Sequence, residues 1–237
     1  MQNTLRELRN RYLKEGNLGK YLTYAIGEIV IVVAGILLAL YLNNWNQKRS
    51  DKKLEIQYYQ SMKNQLNEDL EIIIGEMDYN QTYLDQLSYA ENLIFLNDRR
   101  NLDTLGKIAL NMVKYSDFRR KSSIYQTLVT SGEIIIIKNS RIIEKLQNLE
   151  ETYTYINRLE ENHSTIILSQ IIPDIRERFQ FNPVKVVNLE DIFNYQFQNS
   201  FDILIYIMME KSGIYARAKD EIQSLIDLID QELKDRF

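Results

Sequence analysis

The sequence predicts an all-α protein with a single transmembrane helix, then a long-helix stalk and an extramembrane helical bundle. Three observations point there. Only two prolines and eight glycines occur in 237 residues; both types interrupt helices, so their scarcity favours long unbroken ones. Near the N-terminus, Tyr21–Leu42 is apolar apart from one charge, Glu28. Beyond it, apolar residues recur at helical spacing in one segment after another. The organisation expected is a basic tail over 1–20, a transmembrane helix over 21–42 and a helical extramembrane domain over 43–237. A coiled-coil-like stalk over 52–97 opens that domain.

Hydrophobic content of 45% against 26% charged places the chain with folded proteins rather than disordered ones. With no cysteine there is no disulfide, thiolate metal site or cysteine nucleophile. Of the net charge of −4, the tail carries +3 (Arg6, Arg9, Arg11, Lys14 and Lys20 against Glu7 and Glu15), leaving −7 elsewhere. Such a body does not suit nucleic acid. The partners expected are membrane lipid and, through helix contacts, further copies of the chain or other membrane-protein subunits.

The uncharged run Ile29–Leu42 makes a helix of about 21 Å, short of a hydrocarbon core of about 30 Å. Spanning therefore needs Tyr21–Gly27 as well, which draws Glu28 inside the membrane edge. A cleaved signal peptide is the alternative, but no small-x-small pattern precedes Asn43-Asn44-Trp45-Asn46, so an uncleaved anchor is expected. Tyr21, Tyr24, Tyr41 and Trp45 stand where interfacial aromatics belong. Lys48, Arg49, Lys52 and Lys53 after the span nearly balance the five basic residues before it. A short basic tail ordinarily stays cytoplasmic, which exports the large domain.

Glu28, Gly35 and Ala39 fall on one helix face. Gly35-x-x-x-Ala39 permits close helix approach, and an acid at that depth generally faces protein. Glu28 is read as meeting a polar partner; a headgroup-level acid or a proton carrier are the alternatives.

Lys52–Asn97 contains no proline and one glycine, Gly75. Leu66, Ile73, Asn80, Leu87 and Ile94 recur every seven residues, interleaved with Leu70, Met77, Leu84 and Glu91, as in a heptad pattern. Asn80 either sets register or marks where the stripe leaves its partner. Asn97–Asp103 reads as a turn, Thr104–Tyr115 as a short helix, and Ser122–Thr130 as another closed by Ser131-Gly132. Ile134–Ile137 reads as a buried connector. From Asn139 or Ser140 a long helix runs to about Gln170, with Ile142, Ile143, Leu146, Leu149, Tyr153, Ile156 and Leu159 on its apolar side. Pro173 kinks or ends it. A loop over Phe181–Asn188 follows, then helices Leu189–Gln198 and Phe201–Lys211. Gly213 is expected to separate these from a last helix with Ile222, Leu225, Ile226, Ile229 and Leu233 in one stripe. Ile203–Met209 is read as core.

Two blocks carry a resemblance. One is Lys20-Tyr21, Tyr24-Ala25-Ile26-Gly27-Glu28-Ile29, Gly35-Ile36-Leu37 and Asn43-Asn44-Trp45-Asn46. The other is Tyr125-x-x-Leu128-x-x-Ser131-Gly132-Glu133-Ile134, then Ile137-Lys138-Asn139. Together they resemble, over essentially the whole chain, the bacterial membrane proteins of domain-of-unknown-function family 6090. Glu133-Ile134 departs from the Asn-Leu often found at that cap. The resemblance implies a Gram-negative envelope protein with a signal anchor and a helical domain; with the orientation read from the basic tail, the expected location is the inner membrane with the domain periplasmic. The resemblance brings no activity and no catalytic residues.

Chemistry is sparse. The one histidine, His163, has only Glu160 at ligand spacing and reads as a surface residue. Glu68/Asp69, Glu150/Glu151 and Glu160/Glu161 are adjacent pairs and read as solvated faces, not acid–base pairs. Arg99-Arg100 and Arg119-Arg120-Lys121 read as loop solubilisers. No catalytic, cofactor-binding or metal residue is assigned. The expectation is a non-enzymatic scaffold or accessory subunit, with a ligand-sensing bundle or an ion-coupled subunit using Glu28 as rivals.

Overall fold

The computed structural model describes residues 18–118, 120 and 123–234, with backbone alone at 18, 20 and 21. The basic tail and the Tyr21 side chain lie outside the described residues. The protein is 87% helical with 3% strand. Two compact units divide at Glu55/Ile56.

In the first unit the N-terminal part of α1 (Leu18–Phe95) is helical from Leu18 onward. Its apolar residues from Leu22 to Leu42 are exposed except Tyr24 and Ala25, which are half-buried. Among the described residues this is one helix long and apolar enough to cross a membrane.

The second unit is the bundle. After the end of α1 come α2 (Leu102–Asn111), α3 (Ile124–Ser131), α4 (Ser140–Ile166), α5 (Ile172–Arg178), strands β1 (Phe179–Phe181) and β2 (Val184–Val186), a short α6 (Leu189–Ile192) and α7 (Tyr195–Lys234). α4 and α7 pack along each other, and the distal half of α1 closes against them. The heptad residues Leu66, Ile73, Asn80, Leu87 and Ile94 are all buried. The interleaved set is displaced by one residue from expectation: Met62, Asp69, Tyr83 and Ala90 are buried, whereas Leu70, Met77, Leu84 and Glu91 are half-buried. Both rows fit a three-four alternation, and the one at +3 is the row that the bundle covers, polar Asp69 included.

Local sequence explains most boundaries. Ser123 caps α3, its Oγ accepting from Gln126 N at 3.2 Å. Asn139 caps α4, its Oδ1 accepting from Arg141 N at 2.9 Å. Gly132 closes α3 at φ 75, in the left-handed region. Gly132→Ala is accordingly expected to lower stability by about 1–2 kcal/mol, read as a shift in the urea midpoint at unchanged slope.

Five expectations need correction. α4 reaches Pro173 through a π turn, Ile167–Ile171, in which Ile172 N donates to Ile167 O. One extra residue lets the proline ring clear the preceding turn, and Ile167, Ile171 and Ile175 stay buried. The presumed loop at 181–188 contains an antiparallel hairpin pairing Phe179 with Val186 and Phe181 with Val184. It lies so close to α2 that a Cβ on Gly106 would meet Val184 Cγ1 at 3.2 Å. Gly213 does not interrupt α7, which runs 40 residues; a helix tolerates one glycine when packing supports it on both sides. Ile203–Met209 is only half core: Leu204, Ile207 and Met208 are buried, while Ile203, Tyr206 and Met209 are exposed. The isoleucine connector is a 3-10 turn, Glu133–Ile136, with Ile137 buried and Ile135 exposed.

The bundle has two separate apolar cores. One holds Tyr59, Leu66, Ile73, Leu159, Ile214 and Ile222; the other holds Tyr83, Leu87, Ile167, Phe201 and Met208. On each long helix the residues between the two cores are polar: Glu76 and Asn80 on α1, Glu160 and His163 on α4, Lys211 and Ser212 on α7.

Candidate functional site

That polar layer is the principal concentration of buried titratable groups among the described residues. Lys211 and His163 are fully buried and Glu160 is 5% exposed. Lys211 Nζ donates to Ser116 Oγ at 2.8 Å and lies 3.1 Å from His163 Nδ1. Glu160 Oε1 accepts from Tyr215 OH at 2.5 Å and from Ser116 Oγ at 3.2 Å, while Oε2 accepts from Phe118 N at 2.7 Å. The chain from ammonium through hydroxyl to carboxylate thus joins three segments: α7, the Met112–Ser123 connection and α4.

Burial pushes the Lys211 ammonium down to about 8 despite the opposing carboxylates of Glu160, Glu76 and Asp117. Burial, with the Lys211 charge beside it, lowers His163 to about 3. The imidazole is therefore neutral at pH 7. Since an ammonium only donates, Nδ1 accepts and the ring proton sits on Nε2. That Nε2 is buried with no hydrogen-bond partner among the described residues. Burial raises the Glu76 carboxyl, and burial with the Glu160 charge raises the Tyr215 phenol.

Asn80 belongs to the same layer. Its Nδ2 donates to Met208 O and Ser212 Oγ, both at 2.8 Å, so it fixes the height of α1 against α7 within one chain. Nearby, Asp69 accepts from Tyr153 OH at 3.1 Å. Arg120 pairs with Glu150 through two bonds of 2.7 and 2.9 Å, and its guanidinium covers the Tyr153 ring at 4.2 Å.

These contacts overturn several sequence readings. His163 is core, not surface, and Glu160, Asp69 and Glu150 are partnered acids rather than solvated faces. Arg120 is a clamp between a connection and α4, not a solubiliser; Arg119 and Lys121 lie outside the described residues. Lys211 went unnoticed, although its spacing from Ile207 and Tyr215 puts it on the buried stripe of α7.

Two clefts reach this layer on either side of Tyr115–Asp117. One, of about 730 Å³, includes Ser116, Asn157, Glu160 and Ser164 in its lining; the other, of about 480 Å³, includes Glu76 and Tyr79. The Ser116–Lys211 spacing is that of a nucleophile and its base. Here, however, the hydroxyl proton has Glu160 as acceptor, and the nearby Phe118 N–H is already donated to the same carboxylate. The arrangement is a closed network, and among the described residues no group of three or more acids or histidines is placed to hold a metal ion.

The expected membrane-face residues lie along the N-terminal part of α1. Glu28, Gly35 and Ala39 are exposed, and a Cβ on Gly35 would meet nothing within 4 Å. Tyr24 is half-buried, while Tyr41 and Trp45 are exposed.

A family model described as a family of unknown function, DUF6090, matches residues 28–165. The matched stretch begins at Glu28 and includes Asn80, Ser116, Glu160 and His163, but not Lys211 or Tyr215. No curated protein and no solved structure matches the chain. On the family match, which covers more than half of its length, the chain belongs to the DUF6090 family.

Proposed function

We propose that the protein is a non-enzymatic membrane scaffold or accessory subunit, held in a bacterial inner membrane by residues 21–42. In this reading the N-terminus is cytoplasmic and the bundle periplasmic. The function is exercised through helix–helix contacts with further copies or with other membrane subunits. One observation carries the reading: an apolar helix stretch that no described residue of the bundle covers bears a small notch at Gly35 and Ala39 on the same face as an acid, Glu28. In lipid, helices associate where small residues let backbones approach and where a polar group finds a partner.

The test is purification of the tagged full chain from native membranes in mild detergent. A defined oligomer or a stoichiometric partner is expected, lost when Gly35→Ile is combined with Ala39→Ile and weakened by Glu28→Gln. A wild-type protein that runs strictly as a monomer with nothing bound would sink the proposal.

The larger cleft beside the polar layer supports a second reading, a bundle that senses a small polar ligand. Its size suits one, and a ligand-dependent rise in the melting temperature of the full chain would favour it.

A further inference from the structure

Past the apolar stretch, α1 gathers its cations on one side. At 3.6 residues per turn, Tyr41, Trp45, Lys48, Arg49, Lys52 and Lys53 fall within an arc of about 140°. All six are exposed, and the Arg49 guanidinium lies 5.9 Å from the Trp45 ring centroid. Asp51, the acid between Asn43 and Leu54, points away from this arc and accepts from Gln47 Nε2 at 2.8 Å. It is therefore not directed at the cationic face, and the next acid, Glu55, is buried with an interaction of its own.

Distance along the helix matters as much as angle. Lys48 stands about 9 Å and Lys53 about 16 Å beyond Leu42. Lysine and arginine stems reach back toward the interface, and potentials there act within a Debye length of about 8 Å. Aromatic rings at the hydrocarbon edge with cations one to three turns farther out match the layering of a headgroup region. Glu28, Gly35 and Ala39 lie about a quarter-turn away from the centre of the arc. Most of the cationic arc is thus turned from the small residues, while Lys53, 18 residues after Gly35, shares its direction at the edge of the arc.

We propose that this face is an acidic-phospholipid site. Tyr41 and Trp45 seat at headgroup level, and Lys48, Arg49, Lys52 and Lys53 bind the phosphates of anionic lipids. The inference rests on the membrane-span reading. Lipid is favoured over an acidic protein because the cations continue directly from the exposed apolar stretch, on the same helix and at the depth of the interface.

The full chain is reconstituted with mixed phosphatidylcholine and phosphatidylglycerol, re-extracted in mild detergent, and its retained lipids are quantified by mass spectrometry. Phosphatidylglycerol is expected to be enriched about tenfold over its share of the mixture. The enrichment should fall with added salt and vanish when Lys48, Arg49, Lys52 and Lys53 are all changed to Gln. Changing Arg6, Arg9 and Arg11 to Gln should leave most of it. Enrichment that is absent, or that follows the tail rather than the four cations, overturns the proposal. So does an acidic protein partner lost with the four-residue change while the lipid profile stays flat. Alkaline carbonate extraction separates the two levels: protein released from the membrane defeats the span reading itself, whereas protein retained without lipid preference defeats only the lipid site.

Discussion

Glu160→Ala is expected to destabilise the bundle by about 3–5 kcal/mol, among the largest effects of any single side chain here. Three groups lose a hydrogen-bond partner together, the Phe118 N–H and the Tyr215 and Ser116 hydroxyls. The Phe118 N–H becomes a buried donor without an acceptor, and of the Tyr215 and Ser116 hydroxyls, 3.1 Å apart, only one can donate to the other, so two buried donors are stranded at about 1–3 kcal/mol each. Ser116 keeps only Lys211 and Tyr215 as neighbours, and Lys211 keeps its charge with its nearest relay to a carboxylate gone. Lys211→Met leaves Glu160 its three hydrogen bonds but removes the nearby cation and the donor to His163 Nδ1, and should also destabilise. The double change Glu160→Gln with Lys211→Met is expected to recover more than half of the summed loss, since two uncharged groups replace two buried charges. Urea titrations of the full chain in mild detergent, followed by helical circular dichroism, measure all three. Strict additivity of the single changes would show that the layer is not one coupled network.

The layer also explains which parts of the structure could be read in advance. Helix stripes made of isoleucine and leucine were legible, because period alone identifies them: Ile142, Leu146, Leu149, Ile156 and Leu159 on α4, Ile222, Leu225 and Ile229 on α7. Asp69, Glu160, His163 and Lys211 occupy the same stripes and were passed over. A charged residue at a core position is read as surface unless its partner is known, and the partners on other segments are 42 to 95 residues away, as in Phe118 with Glu160 and Ser116 with Lys211. Sequence spacing on one helix carries no record of such pairs. The π turn and the hairpin were hidden for a different reason. Pro173 signals disruption but not how the backbone absorbs it, and three-residue strands are too short to display a period. The Ser123, Gly132 and Asn139 caps were legible because their chemistry is local.

The second large effect is on acid stability. His163 protonates near 6.5 in the unfolded chain but only at about 3 in the bundle, where burial and then Lys211 disfavour its cation. Between those values the unfolded state binds the extra proton. Stability therefore rises with pH across that window and is lost as pH falls from about 6.5 toward 3. At pH 5 the loss from this group alone is about 2 kcal/mol relative to pH 7, taking about 1.4 kcal/mol per pH unit. Other groups facing the layer act in the same range: the raised carboxyls of Glu76 and, farther along α1, Asp69 bind protons more readily when folded and so work in the opposite direction. The informative quantity is consequently the difference between the wild type and His163→Gln, in which those contributions cancel. Denaturation midpoints at pH 7 and pH 5 should draw together by about 2 kcal/mol when the imidazole is removed. Lys211 adds a separate limb. Its folded value of about 8, below the ordinary 10.5, makes stability climb again as pH rises from about 8 toward 10. That climb should be absent in Lys211→Met. An acid limb unchanged by His163→Gln would mean that the imidazole is already protonated beside Lys211, and that the layer carries one more buried charge than its contacts imply.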